Sequence, residues 1–345
     1  MRLPDKSRMF KICAIVLAYG SRTDVAQAIQ SLQAAEGKIE IVVVQNGLAD
    51  SELDWLAQAF PFVSFVRNAR NCGAAGGRNL ALRTETAAKA DYFFFLDRDA
   101  TIEPNAITKL VEAEGMLPDA ALLSTLILVR ENPAKIHSAG GTIDARTFDE
   151  VHYHHAPTRA VMPVDFVVTT AALVSRHVLE QVGLFDERYF AYYEDLDWAH
   201  RAKILGFNHY VVRDAIGYHN QERSRFHPLV SYYISRNRLL FLTKHKFLES
   251  KFTKRTWEFI LQQIGNGLGI IFSLRPPSLT CFVAQLQGVF DYLRGHYGRA
   301  PRWTETPTPE LWEVRFWIFS THSQLFNQAR KLKRTIRSKG IMLRG

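Results

Sequence analysis

Three carboxylates lie within four residues of this chain, at Glu194, Asp195 and Asp197, with aromatic residues on both sides. Like charges this close raise one another's pKa unless a cation or a hydrogen-bond donor offsets them. A carboxylate shifted in this way can accept a proton near neutral pH, as a catalytic base does. The same residues are also typical of the first turn of a helix, where the macrodipole favours acidic side chains. The cluster alone supports both interpretations.

A second acidic pair, Asp97 and Asp99, directly follows the apolar run Tyr92–Leu96, which predicts a buried strand. Two carboxylates this close beyond a strand end can both reach one divalent cation, and oxygen ligands suit Mg²⁺ or Mn²⁺. The alternative is a turn in which the aspartate side chains accept hydrogen bonds from local backbone amides. A glycine-rich loop upstream favours the metal, because the two features together could hold a diphosphate.

The glycine-rich loop runs from Arg67 to Asn79, between a short strand at Val63–Val66 and a helix through Leu80 and Leu82. Glycines at such a passage permit close backbone approach and can direct amide groups at an anion. Their spacing is not that of the dinucleotide-binding fingerprint, and no Gly-Lys-Ser/Thr follows. Neither a nicotinamide cofactor nor a P-loop is therefore expected, and an ordinary turn remains the alternative.

The elements that must position these residues begin with two continuous apolar runs, Ile12–Ala18 and Ile39–Val44, each followed by a helical pattern. Continuous apolar strands that alternate with helices predict an α/β fold with a parallel sheet covered on both faces. Ligands of such sheets bind beyond the carboxyl ends of the strands. We therefore expect residues 19–20, residues 45–47 and the loop after the third strand to line the site.

The same alternation continues to the end of the second third of the chain. Helices are expected to begin near Thr101, at Arg176, at Asp195 and near Tyr232, strands at 121–129, 164–174 and 210–212, and an irregular polar stretch at 131–163. That stretch contains four histidines, His137, His152, His154 and His155. The last three match no helix face and are better explained as exposed loop residues than as metal ligands.

Composition is that of an ordinary globular protein, with 345 residues, 47% of them hydrophobic and 22% charged. The formal charge of +9 arises mostly after Glu313, where eight lysines and arginines and no acidic residue follow. A basic tail is either solvated or attracted to an anionic surface, so nucleic acid is not the expected partner.

Three widely spaced cysteines offer neither a disulfide framework nor a metal quartet, which favours a reducing, cytoplasmic location. We expect no signal peptide. The apolar run Phe259–Leu274 is interrupted by glutamines and glycines and falls short of a membrane span.

Taken together, these features resemble the family-2 glycosyltransferases with the GT-A fold, particularly the bacterial rhamnosyltransferase-like branch. The resemblance covers roughly Ile12 to His245, about two thirds of the chain. It is carried by motifs in a specific order: Tyr19 after the first strand, the Asn71–Asn79 loop, Asp97-Arg98-Asp99, the Phe185–Arg201 block, and Tyr232-Tyr233 with Arg236-Asn237. It implies a GT-A catalytic domain at residues 1–245, with a mostly parallel sheet flanked by helices. Beyond His245 the resemblance fades, and apolar residues at helix spacing predict a helical C-terminal region at residues 246–345.

The resemblance implies that Asp99, assisted by Asp97, holds Mg²⁺ or Mn²⁺ on the diphosphate of a nucleotide sugar. It implies Asp195 as the catalytic base and Glu194 as an acceptor or positioning contact. His219 is implied as a third metal ligand, with an ordinary strand-end histidine as the alternative. Displacing a nucleoside diphosphate from an anomeric carbon does need a cation for the leaving group and a base for the acceptor hydroxyl.

The resemblance also implies a nucleotide-sugar pocket and an acceptor side. The pocket residues are Tyr19, Gln45, Asn71, Gly73, Gly77, Arg78 and Asp97. Trp198 and Arg236 are the acceptor-side candidates, and Tyr192 or Tyr193 could also stack on a sugar, although aromatic residues here are more often core. Gln45 departs from the family, which commonly has Asp there, and this leaves the nucleotide base, uridine or deoxythymidine, open.

The expected function is inverting, metal-dependent transfer of a sugar, first of all rhamnose, from dTDP-rhamnose or a UDP-sugar to a cell-surface polysaccharide or lipid-linked glycan. Alternatives are galactofuranose or hexosamine transfer, a non-catalytic glycan- or nucleotide-binding scaffold, and a nucleotidyltransferase. The scaffold is disfavoured because Asp97, Asp99 and Asp195 are intact, and the nucleotidyltransferase because no basic glycine-rich loop follows the first strand. The aromatic run Leu311–Phe319 and the basic tail suit peripheral contact with the inner face of a membrane.

Overall fold

The computed structural model describes residues 10–68, 70–144, 150–220, 227–249, 253–272 and 278–305. The chain divides into two compact units, the first within Met1–Arg223, Asn237–Leu248 and Gly295–Arg299, the second within Ser224–Arg236, Glu249–Arg294 and Ala300–Gly345. Packing therefore does not divide the chain by a single cut at residue 245. The aromatic run 311–319 and the basic tail, which suggest a membrane contact, lie outside the described residues.

The strands follow the apolar runs of the sequence in the first third of the chain and continue through more polar segments after it. The strands are β1 (Ile12–Ala18), β2 (Ile39–Gln45), β3 (Ser64–Val66), β4 (Tyr92–Leu96), β5 (Ala100–Ile102), β6 (Ala120–Val129), β7 (Asn132–Ser138), β8 (Gly141–Ile143), β9 (Glu150–His152), β10 (Val161–Val164), β11 (Ala171–Ser175) and β12 (Asn208–His219).

Helices connect these strands and dominate the chain after β12. They are α1 (Arg22–Gln33), α2 (Asp50–Ala59), α3 (Gly73–Leu82), α4 (Glu85–Ala88), α5 (Ala106–Glu114), α6 (Arg176–Val182), α7 (Glu194–Ile204), α8 (Pro228–Lys244), α9 (Lys254–Phe272) and α10 (Ser278–Arg294), with a 3₁₀ turn at Arg302–Glu305. None of the helices within the described ranges is long and apolar enough to cross a membrane.

The first unit is built on one sheet with the strand order β10-β12-β6-β11-β4-β1-β2-β3, to which β5 adds beside β12 and β7 beside β6. Strands β3, β2, β1 and β4 pair in parallel, as their continuous apolar runs predict. Strand β11 is antiparallel to both of its neighbours, β4 and β6. The parallel arrangement therefore holds for the first four strands, whereas the sheet as a whole is mixed.

Side chains of β1 show how the sheet is covered on both faces. Alternate residues of a strand point to opposite faces, and accordingly Ala14 and Val16 pack in one apolar cluster with helix α1, while Ile15 and Leu17 pack in a second cluster. Helix α1 begins directly after the strand, because the Ser21 hydroxyl accepts a hydrogen bond from the Asp24 amide at 3.4 Å. This short connection places Tyr19 at the carboxyl edge of the sheet.

Three expectations about secondary structure are wrong. Residues 100–102 form strand β5, paired with β12, so the helix expected near Thr101 begins at Ala106 instead. Within the described part of the stretch 131–163, where irregular structure is expected, strands β7, β8 and β9 form and β10 begins. The strand expected at 164–174 is two strands, β10 and β11, separated by a turn. In each case partner strands impose a conformation that local apolar patterning does not specify.

The second unit contains the first part of α8 together with α9 and α10. A Cβ atom on Gly288 of α10 would lie 2.2 Å from the Ser235 Oγ and 2.4 Å from the Tyr232 carbonyl oxygen, so only glycine permits this close approach. The Tyr232 hydroxyl donates to Asp291 at 2.7 Å. Arg236 is fully buried in this unit, with its guanidinium over the rings of Tyr232 and Tyr233.

Candidate active site

Asp97 ends strand β4 and is held by the turn that precedes β11. Its backbone amide donates to the Thr170 carbonyl at 2.9 Å, and its Oδ2 accepts from the Thr170 hydroxyl at 2.8 Å. Its Oδ1 lies 3.4 Å from the Arg78 Nη2. Both carboxylate oxygens are thus engaged within the protein, although about a third of the side chain, 34%, remains exposed.

Asp99 lies two residues further along and faces the end of β12. Its Oδ1 is 3.2 Å from the His219 Nε2, and the His219 Nδ1 is 3.2 Å from the His137 Nε2. Arg98 approaches Asp99 with its Nη2 at 3.6 Å. Burial raises the pKa of Asp99, but the hydrogen bond and charge of His219 and the charge of Arg98 outweigh burial and lower it to about 2. Asp99 is therefore ionised at neutral pH.

The predicted ligands Asp97, Asp99 and His219 do not converge on one point. Asp99 and His219 are in contact, while Asp97 is bound by Arg78 and Thr170. Within the part of the chain that the structure describes, no three His, Cys, Asp or Glu side chains are grouped so that they could hold a metal ion. The donor set of Asp99 and His219 fits a divalent cation that completes its coordination with ligand oxygens.

Arg98, which lies between Asp97 and Asp99 in the sequence, links the strand end to the start of helix α1. Its Nη1 donates to Asp24 at 2.6 Å, and its guanidinium lies 4.4 Å from the ring centroid of Tyr19. Arg98 is almost fully buried. The structure therefore places Tyr19 next to the acidic pair through a stack on Arg98, and contact of Tyr19 with a nucleotide sugar stays a prediction.

Glu194 and Arg78 form a buried ion pair that joins the helix α7 to the helix α3. The Arg78 Nη1 donates to the Glu194 Oε1 at 2.8 Å, and only 6% of each side chain is exposed. Burial raises the pKa of Glu194, and the charge of Arg78 lowers it only in part. The Glu194 Oε2 is buried and has no hydrogen-bond partner among the described residues. Because Arg78 also reaches Asp97, it connects the two acidic motifs.

Asp195 follows Glu194 in the first turn of α7 and is partly exposed. Its Oδ1 accepts from the Leu196 amide at 2.8 Å. Burial and the charge of Glu194 raise the pKa of Asp195 to about 7, and the positive charge of Arg78 moderates the effect. The charge of Glu150, on strand β9, contributes in the same direction as Glu194. A carboxyl group with this pKa can take a proton from a hydroxyl and release it near neutral pH.

Asp197 has a different environment from the other two carboxylates and is fully buried. The Arg201 Nε donates to it at 3.1 Å, one helical turn away, and Lys244 and His245 approach at 2.7 Å and 2.8 Å. The Tyr189 hydroxyl donates to it at 3.1 Å. Despite burial, these partners lower the pKa of Asp197. Its role is therefore to fix α7 and not to exchange protons.

The glycine-rich loop is closed by contacts within the chain. The Gly73 amide donates to the Asn71 side chain at 2.9 Å, and the amides of Ala74 and Ala75 donate to the Phe190 carbonyl at 2.6 Å and 3.3 Å. The expectation that these first amides face an anion is therefore wrong. Gly73 has a φ of +78° and lies so near Phe190 that a Cβ would be 2.2 Å from its carbonyl oxygen.

Gly77 has a comparable packing function, because a Cβ there would lie 2.8 Å from a methyl group of Leu17. Asn46 holds the start of the loop, since its side chain accepts from the Cys72 amide at 2.9 Å and donates to the Gly73 carbonyl at 3.0 Å. Nucleotide contacts through the remaining atoms of Asn71, Gly73 and Gly77 stay a prediction.

The side chain of Gln45 is buried, and its polar atoms are used inside the chain. Its Nε2 donates to the Leu48 carbonyl at 3.0 Å and to the Asp50 carboxylate at 2.6 Å, and its Oε1 accepts from the Asn68 amide at 3.1 Å. The structure therefore places Gln45 as the residue that holds the turn after β2, and its predicted contact with a nucleotide base is not supported by these bonds.

The two acceptor-side candidates are both corrected by burial. Trp198 is 0% exposed, and its indole donates to the Gly183 carbonyl at 2.8 Å, so it belongs to the core and presents no surface for a sugar. Arg236 is also 0% exposed. Tyr193 is buried as well, whereas Tyr192 is 42% exposed. Of the three aromatic residues considered for the acceptor side, Tyr192 alone offers an accessible ring.

Sequence reasoning missed Thr170, His137, Arg98 and Glu150. Thr170 and Arg98 appear in the sequence beside predicted elements, but nothing local indicates that they bind Asp97 and stack on Tyr19. The sequence places His137 in the polar stretch 131–163 and assigns it no role. The pairing of β7 and β12 with the same strand, β6, brings it to His219.

The acidic pair at the strand end, the buried Arg78 and the acidic start of α7 lie together in one site of an α/β protein. Residues 13–183 match the family model for glycosyl transferase family 2. The chain is a family-2 glycosyltransferase with the GT-A fold.

Individual relatives agree with this assignment at low identity. The low-salt glycan biosynthesis hexosyltransferase Agl10 of Haloferax volcanii is 26% identical over 235 residues, which cover 66% of this chain and 73% of the relative. The N-acetylglucosaminyl-diphospho-decaprenol L-rhamnosyltransferase of Mycobacterium tuberculosis is 26% identical over 233 residues, 61% of this chain and 76% of the relative. The solved mannosyltransferase PcManGT of Pyrobaculum calidifontis, in complex with GDP-Man and Mn²⁺, shares the fold with a TM-score of 0.53 at 14% identity, covering 84% of this chain and 89% of that chain.

Proposed function

We propose that this protein transfers a sugar from a nucleotide diphosphate donor to a glycan acceptor with inversion at the anomeric carbon, and that Asp195 is the base. The observation that carries the proposal is the environment of Asp195, a partly exposed carboxyl group whose pKa is raised to about 7 beside a buried Glu194–Arg78 pair. Arg78 ties this base to the acidic strand end that carries Asp97.

In the proposed reaction the acceptor hydroxyl attacks the anomeric carbon of the donor. A bond forms between the acceptor oxygen and that carbon, while the bond from the carbon to the diphosphate oxygen breaks. The hydroxyl proton passes to the Asp195 carboxylate, and the electron pair of the broken bond leaves with the nucleoside diphosphate. One displacement opposite the leaving group inverts the configuration and needs no enzyme nucleophile.

Asp99 and His219 are the residues that would hold a divalent cation. A bound Mg²⁺ or Mn²⁺ supplies positive charge for the leaving diphosphate. The low pKa of Asp99, about 2, keeps this ligand ionised at working pH. Asp97, whose oxygens already accept from Thr170 and approach Arg78, supports the site through its partners. The solved mannosyltransferase with GDP-Man and Mn²⁺ supports a metal in this fold.

Glu194 acts in this proposal as a positioning group. Its ion pair with Arg78 at 2.8 Å fixes the first turn of α7 and adds the negative charge that raises the pKa of its neighbour. A neutral residue at this position would leave Asp195 a weaker base.

For the donor we propose dTDP-rhamnose, with UDP-sugars as the second class to test, and for the acceptor a lipid-linked glycan or a surface polysaccharide. The names of the two relatives, a rhamnosyltransferase acting on a decaprenol-linked sugar and a glycan biosynthesis hexosyltransferase, support this choice. With a lipid-linked acceptor, we propose that the protein acts at the cytoplasmic face of a membrane and contacts it peripherally through the C-terminal part of the chain.

The test compares Asp195→Asn with the control Asp214→Asn, which removes one charge from an exposed carboxylate paired with Arg213. We expect the first variant to lose transfer and to bind dTDP or UDP with Mn²⁺ as tightly as the unmodified protein, measured by calorimetry. The control should keep both properties. Normal turnover by Asp195→Asn would show that another group is the base.

A screen for the donor uses thermal stability. A ligand that binds only the folded state raises stability by RT ln(1 + [L]/Kd). We expect one nucleotide sugar of a panel to raise the melting temperature more with Mn²⁺ than without it. An equal response with and without the ion would refute a metal-assisted donor site.

A further inference from the structure

The segment that enters helix α7, residues 189–193, has an unusual backbone, and we name it the strap. Phe190, Tyr192 and Tyr193 have φ angles of 66°, 64° and 73°. This left-handed region is uncommon for non-glycine residues and an outlier for bulky ones. Such strain persists only where the surroundings enforce it, and it concentrates at functional sites. The strap ends directly before Glu194 and Asp195, because Tyr193 is the N-cap residue of α7.

Asn237 of α8 supplies the enforcing contacts. Its side-chain Nδ2 lies 2.9 Å from the Tyr189 carbonyl, 2.8 Å from that of Ala191 and 2.7 Å from that of Tyr192. The residue is fully buried. An asparagine amide has two N–H groups, so these three carbonyls share them, and the amide fits this convergence of backbone oxygens where an apolar side chain would leave them unsatisfied.

The strap also connects the acidic start of α7 to the glycine-rich loop. The Phe190 carbonyl accepts from the amides of Ala74 and Ala75 at the start of α3. The Tyr193 carbonyl accepts from the Asp197 amide at 2.8 Å, the first backbone bond of α7. Movement of the strap would therefore move the start of α7, and with it Glu194 and Asp195.

We propose that Asn237 is a positioning residue for transfer: it holds the strap in its left-handed conformation and so fixes Asp195 relative to the bound donor. It acts through the backbone and touches neither substrate. The inference rests on the proposed role of Asp195 as the base. A displacement of about 1 Å at a reacting group can reduce rate on the order of 100-fold, so the expected effect falls on kcat.

The experiment compares Asn237→Leu, which keeps the size and removes the donor, with Thr243→Val in the same helix. The Thr243 hydroxyl bonds only to backbone carbonyls of α8 at 2.8 Å and 3.2 Å, so its loss does not reach the strap. Turnover is measured with dTDP-rhamnose, or with the panel sugar that the unmodified protein consumes fastest, at a temperature where all variants are folded. Binding of UDP or dTDP with Mn²⁺ is measured by calorimetry.

We expect Asn237→Leu to lose on the order of 100-fold in kcat, with the Kd for the nucleotide and Mn²⁺ nearly unchanged. Thr243→Val should keep its kcat. Hydrogen exchange supplies a second measurement: the amides of Ala74, Ala75 and Asp197, which donate to strap carbonyls, should exchange faster in Asn237→Leu while the amides of β1 stay protected.

The kcat measurement and the hydrogen exchange together distinguish a positioning role of Asn237 from a contribution to stability alone. Equal kcat for Asn237→Leu and Thr243→Val, beside an inactive Asp195→Asn, would refute the positioning role and leave the base in place. A fully active Asp195→Asn would refute the base itself. If Asn237→Leu does not fold, Asn237→Ser, which keeps one donor, takes its place: an intermediate kcat supports the inference and an unchanged kcat overturns it.

Discussion

Removing Arg78 should test how the buried charges of the site depend on one another. The substitution Arg78→Met keeps an unbranched chain against Phe95 and Phe185, over which the guanidinium now lies at 5.8 Å and 5.6 Å from the ring centroids. It leaves Glu194, with 6% of its side chain exposed, without its cation. Breaking one side of a buried ion pair costs about 3–5 kcal/mol, because a charge remains uncompensated.

For a unit of this size each kcal/mol lowers the melting temperature by about 2–4 °C, so we expect a fall of about 6–20 °C. Differential scanning calorimetry measures it. The control is Arg83→Met, which removes an exposed arginine 3.7 Å from Glu187 and should change the melting temperature little, because exposed ion pairs contribute about 0–1 kcal/mol.

The pH dependence gives a second signature of the same change. Burial already raises the pKa of Glu194 in the folded state, and loss of Arg78 removes a cause that lowers it. A carboxyl group with a raised folded pKa binds its proton more tightly when folded, so its unfavourable contribution grows as pH rises through the ordinary glutamate range. The stability deficit of Arg78→Met should therefore be smaller at pH 5 than at pH 8.

The double variant Arg78→Met/Glu194→Gln isolates the pair. With both charges removed, the unfolding free energy should recover by about 2 kcal/mol relative to Arg78→Met, since a neutral pair avoids the buried charge. Transfer should stay impaired, because Asp195 loses the negative charge of Glu194, which helps to raise its pKa, and the ion pair that fixes the first turn of α7 is gone. A double variant as unstable as the single one, or a single variant as stable as the unmodified protein, would refute this account of the pair.

Three further predictions address individual side chains. Because Asp195 must be ionised to act as the base and its pKa is about 7, kcat should fall about tenfold per pH unit below 7 and level off above it, and a flat profile between pH 5 and 8 would exclude this base. His137→Phe should weaken Mn²⁺ binding about 10- to 100-fold in the presence of UDP or dTDP, because the imidazole that faces the His219 Nδ1 orients this ligand; calorimetry with equal Kd values would contradict it. Trp198→Phe should lower the free energy of unfolding by about 1–3 kcal/mol through loss of a buried hydrogen bond, and it should leave the acceptor KM unchanged. A raised acceptor KM would show instead that Trp198 contacts the acceptor.

Local sequence was sufficient for the elements whose burial is complete. Strand β4 is an uninterrupted apolar run, and the general rule for ligands at carboxyl strand ends places Asp97 and Asp99 at the site without any tertiary information. The acidic start of α7 is the arrangement that the macrodipole favours for three carboxylates in a first helical turn. These predictions rest on burial and position along the chain, which sequence records directly.

Edge elements and internal contacts were not predictable in this way. Strands β5 and β7 are short or polar, and they form only because β12 and β6 offer partners. The resemblance makes Arg236 and Trp198 candidates for acceptor contact, yet tertiary packing buries both. The amides of the glycine-rich loop face the Phe190 carbonyl, which lies more than a hundred residues away in sequence. Each of these depends on a partner that spacing does not reveal.

The ion pair and hydrogen bonds of the site have a consequence for when the enzyme becomes active during folding. Arg78 and Glu194 are separated by 116 residues, Asp97 and Thr170 by 73, and Asp99 and His219 by 120. Contacts of such long separation require closure of large loops and form slowly. A chain that has emerged from the ribosome only as far as β11 holds Asp97 and Thr170 but neither Asp195, the proposed base, nor His219. Under the proposed roles of Asp195 and His219, catalytic activity begins only after β12 has joined the sheet.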